Sequence, residues 1–208
     1  AEKQAALRRD TNKDDLLSLF LAPMKNGETF TDLEFKNAFA LLVSAGNDTT
    51  RYSISASIKA LIDNPDLLSQ LRTLDEAQWL LAVEEMLRWA SPTMHFRRTA
   101  IEDVEFKGHH INAGDKVILW FISANRDETV FERPFTININ RTPNPHMAFG
   151  QGSVHACLGM WLARLELRVV LQELVKRIHS IEQSGPETYL RSNFIGGIKS
   201  LPVSIQCV

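Results

Sequence analysis

The sequence has little cysteine, no long apolar run and no excess of one charge, and each shortage excludes a class of protein. Two cysteines in 208 residues cannot form the disulfide framework of a small secreted domain. The balance of 23 basic and 25 acidic residues does not favour a general nucleic-acid binder. No apolar run is long enough to span a membrane. A globular protein of the reducing cytoplasm is therefore expected.

The chain also begins without two common features. Ala1 stands in place of an initiator methionine, and Glu2, Lys3 and Gln4 offer no apolar stretch for a signal peptide. Residues 1–9 instead have a charged, helix-like pattern, which we interpret as the end of a helix. The sequence therefore predicts a partial single domain over residues 1–208, cut from a longer protein.

The most informative segment is a long predicted helix. Thr31 and Glu34 form a capping box at its start, and helical character continues to Pro65, a length on the order of 45–50 Å. Residues 39–43 are apolar on every side, which predicts a helix buried in the centre of the fold. The polar residues 45–50 interrupt this stretch with poor helix formers, and such a break often marks function.

Other segments predict further helices. One is expected at residues 14–21, after the polar residues 10–12, and another begins at Pro65 with Asn64 as its N-cap. A third is expected at residues 75–89.

The pattern then changes to short strands and loops. Alternating segments with glycine turns between Phe96 and Phe121 predict an antiparallel meander, and residues 134–148 predict an ordered loop. An amphipathic helix is expected from Leu158 to Ile178, followed by a hairpin around Gly196 and Gly197. The predicted fold is mainly α with small antiparallel β-sheets (α+β), not a doubly wound sheet.

Cys157 lies in the glycine-rich segment 149–159, at the predicted start of the long helix. Helix-terminal amides favour a thiolate there, and the glycines allow the backbone to approach a flat ligand. A buried structural cysteine, a nucleophile served by His155 or His146, and a haem ligand all fit this segment. A phosphate loop fits poorly, because the third glycine and the lysine are absent. Cys207 is interpreted as a small buried apolar residue.

Three motifs in this order resemble those of the cytochrome P-450 family. The residues similar to its haem-binding loop are Phe149, Gly150, Gly152, His155, Cys157 and Gly159. Residues 45–49 (Ala-Gly-Asn-Asp-Thr) are similar to its oxygen-activation motif, and residues 85–88 are similar to its Glu-x-x-Arg motif. One departure is an extra residue between Gly152 and His155, which some bacterial members acting on steroid or branched alkyl substrates share.

The resemblance implies the carboxyl-terminal portion of the cytochrome P-450 fold, with a long central helix and a cysteine-ligand loop. It implies haem b with the Cys157 thiolate as axial ligand, because an anionic sulfur pushes electron density to iron and favours O–O cleavage. The cofactor-binding residues that it implies are Cys157, His155, Arg98, Phe149, Gly150, Ala45 and Gly159. Arg98 and His155 would hold the haem propionates.

Other roles are implied for residues outside the loop. Asp48 and Thr49 would deliver protons as catalytic residues, although a threonine bonding back to the helix carbonyl remains an alternative. Glu85 and Arg88, with Arg141, would form a buried network that anchors the loop, the alternative being an exposed ion pair of little value. The implied substrate contacts are Gly46, Thr93, Met94, Phe96, Phe194 and Ile195.

The implied function is a haem-dependent monooxygenase that uses O2 to oxidise a C–H bond of a hydrophobic substrate. Residues 192–202 favour a terpenoid, a steroid or a branched alkyl chain. The electron donor would be a ferredoxin or flavodoxin with its reductase, docking near Arg164 and Arg168. The missing amino-terminal half would be needed for activity. A haem-thiolate binding or sensing protein and a metal-free cysteine hydrolase remain open alternatives.

Overall fold

A computed structural model of the chain describes residues 1–9 and 14–208, so the predicted helix-start signal at residues 10–12 lies outside the described residues. The helices are α1 (Glu2–Arg9), α2 (Leu16–Leu21), α3 (Asp32–Asp63), α4 (Pro65–Arg72), α5 (Glu76–Ala90), α6 (Phe121–Ala124) and α7 (Met160–Arg177). The strands are β1 (His95–Thr99), β2 (Val104–Phe106), β3 (His109–Ile111), β4 (Lys116–Trp120), β5 (Ile178–Gln183), β6 (Thr188–Tyr189), β7 (Ile198–Ser200) and β8 (Val203–Cys207). The predicted fold class, mainly α with small antiparallel sheets, is confirmed.

The described residues form two compact units, residues 1–47 and residues 48–208, and the boundary falls inside α3. The single partial domain expected from the sequence therefore stays a prediction. In the described part of the chain, no helix is both long enough and apolar enough to cross a membrane.

Helix α3 begins as its capping box predicts. The Thr31 amide donates to Glu34 Oε2 at 2.8 Å, and the Glu34 amide donates to Thr31 Oγ1 at 3.3 Å. Its 32 residues correspond to about 48 Å. The helix is continuous through the polar residues 45–50.

The predicted burial of residues 39–43 is wrong for the described chain. Leu41 is 69% exposed and Val43 is 53% exposed, whereas Ala60 and Leu61 near the end of α3 are buried. An apolar pattern on every side of a helix predicts that other segments cover it. The pattern does not indicate which part of the protein those segments come from.

The core of residues 48–208 lies among the end of α3, α4, α5 and α7. Leu71 of α4, Met86 of α5 and Leu167 and Leu171 of α7 are all almost fully buried. Helix α7 ends at Arg177, and β5 begins at the next residue, Ile178. The Ile178 side chain is buried in this core. The sequence prediction extended the helix over Ile178 and missed the strand.

The strands pair into four antiparallel two-stranded sheets within the described residues: β1 with β4, β2 with β3, β5 with β8 and β6 with β7. The predicted tail hairpin is confirmed. The predicted meander is wrong, because β4 pairs with β1 and not with its predecessor β3, and the β2–β3 hairpin forms a sheet of its own. The tail hairpin also returns to the start of β1 through a bridge between Thr93 and Ile195. This isolated bridge, outside the four sheets, brings together segments about 100 residues apart.

The predicted burial of Cys207 is wrong. Cys207 is exposed on β8, which pairs with β5 alone among the described strands. Half of the side chains of such a two-stranded sheet can face solvent, so an apolar residue type in a strand does not ensure burial.

Candidate functional site

The cysteine loop, residues 149–157, closes on itself through its backbone. The Cys157 amide donates to the Phe149 carbonyl at 2.9 Å, and the Ala156 amide donates to the Ser153 carbonyl at 3.1 Å. Gly150 adopts φ +62°, in the left-handed region that glycine tolerates best. The extra residue that precedes His155 is accommodated in the turn at residues 153–156, and the thiol of Cys157 is exposed.

The position of Cys157 relative to the helix differs from the prediction. Helix α7 begins at Met160 with Gly159 as its N-cap, so Cys157 precedes the first turn instead of lying in it. The Cys157 carbonyl still accepts the Met160 amide at 3.4 Å, which links the loop directly to the helix start. Gly159 is therefore the last residue before the helix, and Leu158 connects it to the cysteine loop.

The network of Glu85, Arg88 and Arg141 has the geometry that the resemblance implied. The Glu85 carboxylate accepts hydrogen bonds from Nε and Nη2 of Arg88, both at 2.8 Å, and from Nε of Arg141 at 2.9 Å. Glu85 and Arg88 are fully buried and Arg141 is nearly so. The alternative of an exposed ion pair is therefore excluded.

The two arginines of this network also hold the loop before the cysteine. Arg88 Nη1 donates to the carbonyls of Asn125 and Pro134 at 2.7 and 2.9 Å, and Arg141 Nη1 donates to the Glu132 carbonyl at 2.8 Å. Buried carbonyls outside regular structure need such donors. The two arginines therefore satisfy the carbonyls of Glu132 and Pro134 in this segment.

A second charged cluster consists of Glu84, His146 and Arg164, and sequence reasoning missed it. Arg164 pairs with Glu84 through Nε and Nη2 at 2.6 and 2.9 Å, and His146 Nε2 lies 2.9 Å from Glu84 Oε2. Burial raises the pKa of Glu84, but the hydrogen bonds from His146 and Arg164 outweigh it and lower the pKa to about 2. The available signal was the pair of adjacent glutamates, Glu84 and Glu85, on a helix with apolar neighbours.

This cluster corrects one expectation about partner docking. The Arg164 side chain is 19% exposed and is engaged with Glu84, so it is not a free cation at the surface. Arg168 is more accessible but pairs with Glu76 at 3.1 Å. Docking of an electron donor therefore stays a prediction for Arg168 and not for Arg164.

Of the residues predicted to contact substrate, all but Gly46 come together at one place in residues 48–208. The Met94 amide donates to the Phe194 carbonyl at 2.8 Å, beside the bridge between Thr93 and Ile195. The rings of Phe96 and Phe194 pack edge to face at 5.6 Å. Two segments about 100 residues apart thus form one largely apolar surface.

Phe121 connects this surface to the cysteine loop, and the sequence analysis did not single it out. Its amide donates to the Met94 carbonyl at 2.8 Å, and its ring lies 5.8 Å from that of Phe96. Its ring edge would be 3.9 Å from a Cβ on Gly150. The apolar run that continues past β4 into Phe121 was the signal that could have found it.

The polar patch of α3 contains the predicted catalytic pair. Asp48 Oδ1 accepts Arg51 Nη2 at 2.9 Å, and both side chains are well exposed. The Thr49 carbonyl accepts the Ser53 hydroxyl at 2.9 Å. The roles of Asp48 and Thr49 in proton delivery stay predictions.

Ala45 and Gly46 lie on the portion of α3 in residues 1–47, and both are exposed. A Cβ added to Gly46 would meet no atom within 4 Å. The role of Gly46 in leaving room for oxygen and substrate stays a prediction.

Arg98 and His155, the predicted propionate ligands, are both exposed. Arg98 lies on β1 opposite Val117, and its Nη1 donates to the Arg97 carbonyl at 3.0 Å. Its guanidinium lies 5.9 Å from the Phe96 ring. Arg98 therefore places a cation beside the predicted substrate surface.

The residues present fit a haem. Within residues 1–9 and 14–208, no group of three His, Cys, Asp or Glu side chains is placed to hold a metal ion. A haem iron needs only one axial ligand from the protein, and the exposed Cys157 would supply an electron-donating thiolate. Cys157 would hold the iron, and Arg98 and His155 would face its carboxylates.

A comparison with known protein families favours the haem-ligand interpretation of Cys157. The family model for cytochrome P-450 matches residues 1–75 and 81–205. The chain belongs to the cytochrome P-450 family. Cytochromes P-450 use haem with a cysteine thiolate ligand, and the matched residues include all three motifs.

Individual cytochromes P-450 support this assignment. A methyl-branched lipid omega-hydroxylase of Mycobacterium tuberculosis is 43% identical over 95% of this chain and 46% of its own length. Linalool 8-monooxygenase of Pseudomonas putida is 40% identical over 94% of this chain and 48% of its own length. A cytochrome P-450 of Mycobacterium marinum, solved in complex with pseudoionone, is 42% identical with a TM-score of 0.93.

The solved structure confirms the cytochrome P-450 fold for the described residues. The match covers 98% of this chain and 49% of the Mycobacterium marinum protein. The chain therefore spans about half the length of the relatives that it matches.

Proposed function

We propose that the protein containing this chain is a haem-dependent monooxygenase. It would insert one atom of O2 into a C–H bond and reduce the other atom to water with two electrons and two protons. The observation that carries the proposal is the exposed Cys157 thiol, held by a closed loop in a member of the cytochrome P-450 family. The activity belongs to the whole protein, since this chain is about half the length of its relatives.

The bound haem would supply the redox-active iron at which O2 is reduced. The chain's own residues would control this centre. Cys157 would donate electron density from its thiolate, and the Phe149 carbonyl would hold the Cys157 amide. Thr49 would position a hydroxyl and an ordered water, and Asp48 would bring protons from solvent, consistent with its exposure.

The substrate class that we propose is a terpenoid, a steroid or a branched alkyl chain. The aromatic surface of Phe96, Phe121 and Phe194 is suited to an apolar molecule. The names of the similar proteins support the same class, since one is a methyl-branched lipid omega-hydroxylase and another is linalool 8-monooxygenase. Electrons would come from a ferredoxin or flavodoxin with its reductase.

The first test uses the full reading frame that contains residues 1–208, with Cys157→Ser and the matched control Cys207→Ser. Both cysteines are exposed, so either change is expected to leave the fold intact. The reduced carbon-monoxide complex of a thiolate-ligated haem absorbs at longer wavelength than one without a thiolate. We expect this band in the parent protein and in Cys207→Ser, and its loss in Cys157→Ser.

A band that persists in Cys157→Ser would contradict the assignment of the iron ligand. Turnover is measured on the same preparations with a panel of terpenoids, steroids and branched fatty acids, with a ferredoxin and its reductase as electron donor. Product formation supports the monooxygenase. A thiolate band with no product from any substrate would favour a haem-thiolate binding or sensing protein instead.

A further inference from the structure

The cluster of Glu84, His146 and Arg164 lies next to the cysteine loop, and the proposed function gives it no role. We propose that these three residues position the loop that carries Cys157 by clamping it between α5 and α7. This inference rests on the proposed haem-thiolate function, and it assigns the three residues a positioning role. None of them touches Cys157, so they act through Phe149.

The first contact of the clamp joins the two helices. The Glu84 carboxylate on α5 accepts hydrogen bonds from Nε and Nη2 of Arg164 on α7, at 2.6 and 2.9 Å. This two-point geometry fixes the orientation of the guanidinium as well as its distance. The two side chains are 25% and 19% exposed, so water screens the pair only partly.

The second contact fixes the chain just before the loop. His146 is fully buried, and its Nδ1 accepts the Ala148 amide at 3.3 Å. An accepting Nδ1 leaves the hydrogen of the neutral ring on Nε2, which then donates to Glu84 Oε2 at 2.9 Å. His146 therefore braces residues 146–148 through Nδ1 and ties them to α5 through Nε2.

The third contact reaches the loop itself. The Arg164 guanidinium lies 4.7 Å from the centre of the Phe149 ring and 5.1 Å from that of Trp161. When a guanidinium stacks on aromatic rings, the contact restrains both the guanidinium and the rings. Phe149 is buried and its carbonyl accepts the Cys157 amide at 2.9 Å. A shift of Arg164 would therefore reach Cys157 through a single residue.

The clamp is distinct from the network of Glu85, Arg88 and Arg141. Adjacent helix residues project about 100° apart, so Glu84 and Glu85 serve two different faces of α5. Glu85 accepts the Asn138 amide at 2.8 Å, upstream of the loop, whereas Glu84 holds His146 and Arg164 at the loop. Two neighbouring carboxylates therefore fix two successive parts of the segment that leads to Cys157.

The experiment uses the haem-loaded full protein with Arg164→Ala, Arg164→Lys and Glu84→Gln. The control is Arg177→Ala, since Arg177 lies on the same helix in an exposed pair with Glu173. The first readout is the fraction of reduced carbon-monoxide complex that shows thiolate ligation. The second is hydrogen exchange of the peptide covering residues 149–157, which does not depend on the presence of haem.

We expect Arg164→Ala and Glu84→Gln to speed exchange of this peptide roughly tenfold or more and to lower the thiolate-ligated fraction severalfold. Arg164→Lys is expected to show smaller changes in the exchange rate and in the thiolate-ligated fraction than Arg164→Ala. Lysine keeps the charge but not the paired hydrogen bonds or the stacking. Arg177→Ala should match the parent protein in both measurements.

The result that would overturn the inference is a loss of unfolding free energy in Arg164→Lys and Glu84→Gln with exchange and thiolate ligation unchanged. The cluster would then only join α5 to α7. Failure of the proposed function looks different, because the parent protein itself would show no thiolate band. The exchange measurement decides on the clamp even in that case.

Discussion

At the scale of single residues, the position of Glu84 beside a histidine and an arginine determines its charge. Burial alone would favour the neutral acid, yet the hydrogen bonds from His146 and Arg164 lower the pKa from 4.5 to about 2. A folded-state pKa below the unfolded value means that the carboxylate stabilises the fold above the unfolded pKa. That contribution is lost as the pH falls through the folded value.

We therefore expect Glu84→Gln to change the acid dependence of stability. At neutral pH the parent protein should exceed the variant by on the order of 2–3 kcal/mol in free energy of unfolding. The difference should shrink as the pH falls from about 4.5 towards about 2, because only the parent loses an ionised group there. Urea unfolding followed by circular dichroism at a series of pH values measures it. A difference that stays constant over this range would show that the pKa of Glu84 is not lowered.

At the scale of elements, the tail hairpin is fitted to the side of α3. A Cβ on Gly196 would overlap the half-buried Tyr52 ring, so either the ring or the hairpin would have to shift. Burial also raises the pKa of the Tyr52 hydroxyl. The absence of a side chain at Gly196 thus allows the hairpin to reach the bridge between Ile195 and Thr93.

Gly196→Ala is expected to destabilise the fold by about 1–3 kcal/mol, since overpacking displaces the ring or the hairpin. The matched control is Gly46→Ala, where an added Cβ meets nothing within 4 Å. Alanine in an exposed helix interior is favoured over glycine, so this control should gain about 0.5–1 kcal/mol. Thermal unfolding of the two variants compares them directly. Equal stability for Gly196→Ala and the parent would contradict the close packing against Tyr52.

At the scale of the whole molecule, α7 has two apolar faces. Leu167, Leu171 and Val175 are buried in the core. Trp161 is 75% exposed, and Leu162, Leu165 and Val169 are 57%, 48% and 46% exposed. The exposed residues recur at helical spacing and form one stripe. A stripe of this kind usually marks a surface that another segment covers.

We expect the isolated 208-residue chain to expose this stripe and to lack monooxygenase activity. It should bind a hydrophobic dye and self-associate in analytical ultracentrifugation, and Leu162→Gln with Leu165→Gln should reduce both effects. The full reading frame should bind little dye, because the portion present in relatives but not in these 208 residues would cover α7. A monodisperse chain without dye binding, or one with turnover, would contradict this expectation.

Much of the fold was predictable because its signals are local. Capping at Thr31 and Asp75, the N-cap at Asn64 and the glycine turns of the strands depend on near neighbours in the chain. The start of α7 was predicted two residues early, because a loop tied back to Phe149 ends only at Gly159. The burial of residues 39–43 and of Cys207 was predicted wrongly, because burial depends on what packs from elsewhere.

The sequence by itself determined most of the helices, the order of the motifs and the place of Cys157 in its glycine-rich loop, since each depends on residue type and short-range spacing. Only the tertiary structure decided which charges meet. Glu84 and Arg164 are separated by 80 positions, and Glu85 and Arg141 by 56. No local pattern distinguishes a buried ion pair from a solvated one, because burial arises when the whole chain packs. Arg164, predicted as a docking residue, is instead half-buried and paired with Glu84 for that reason.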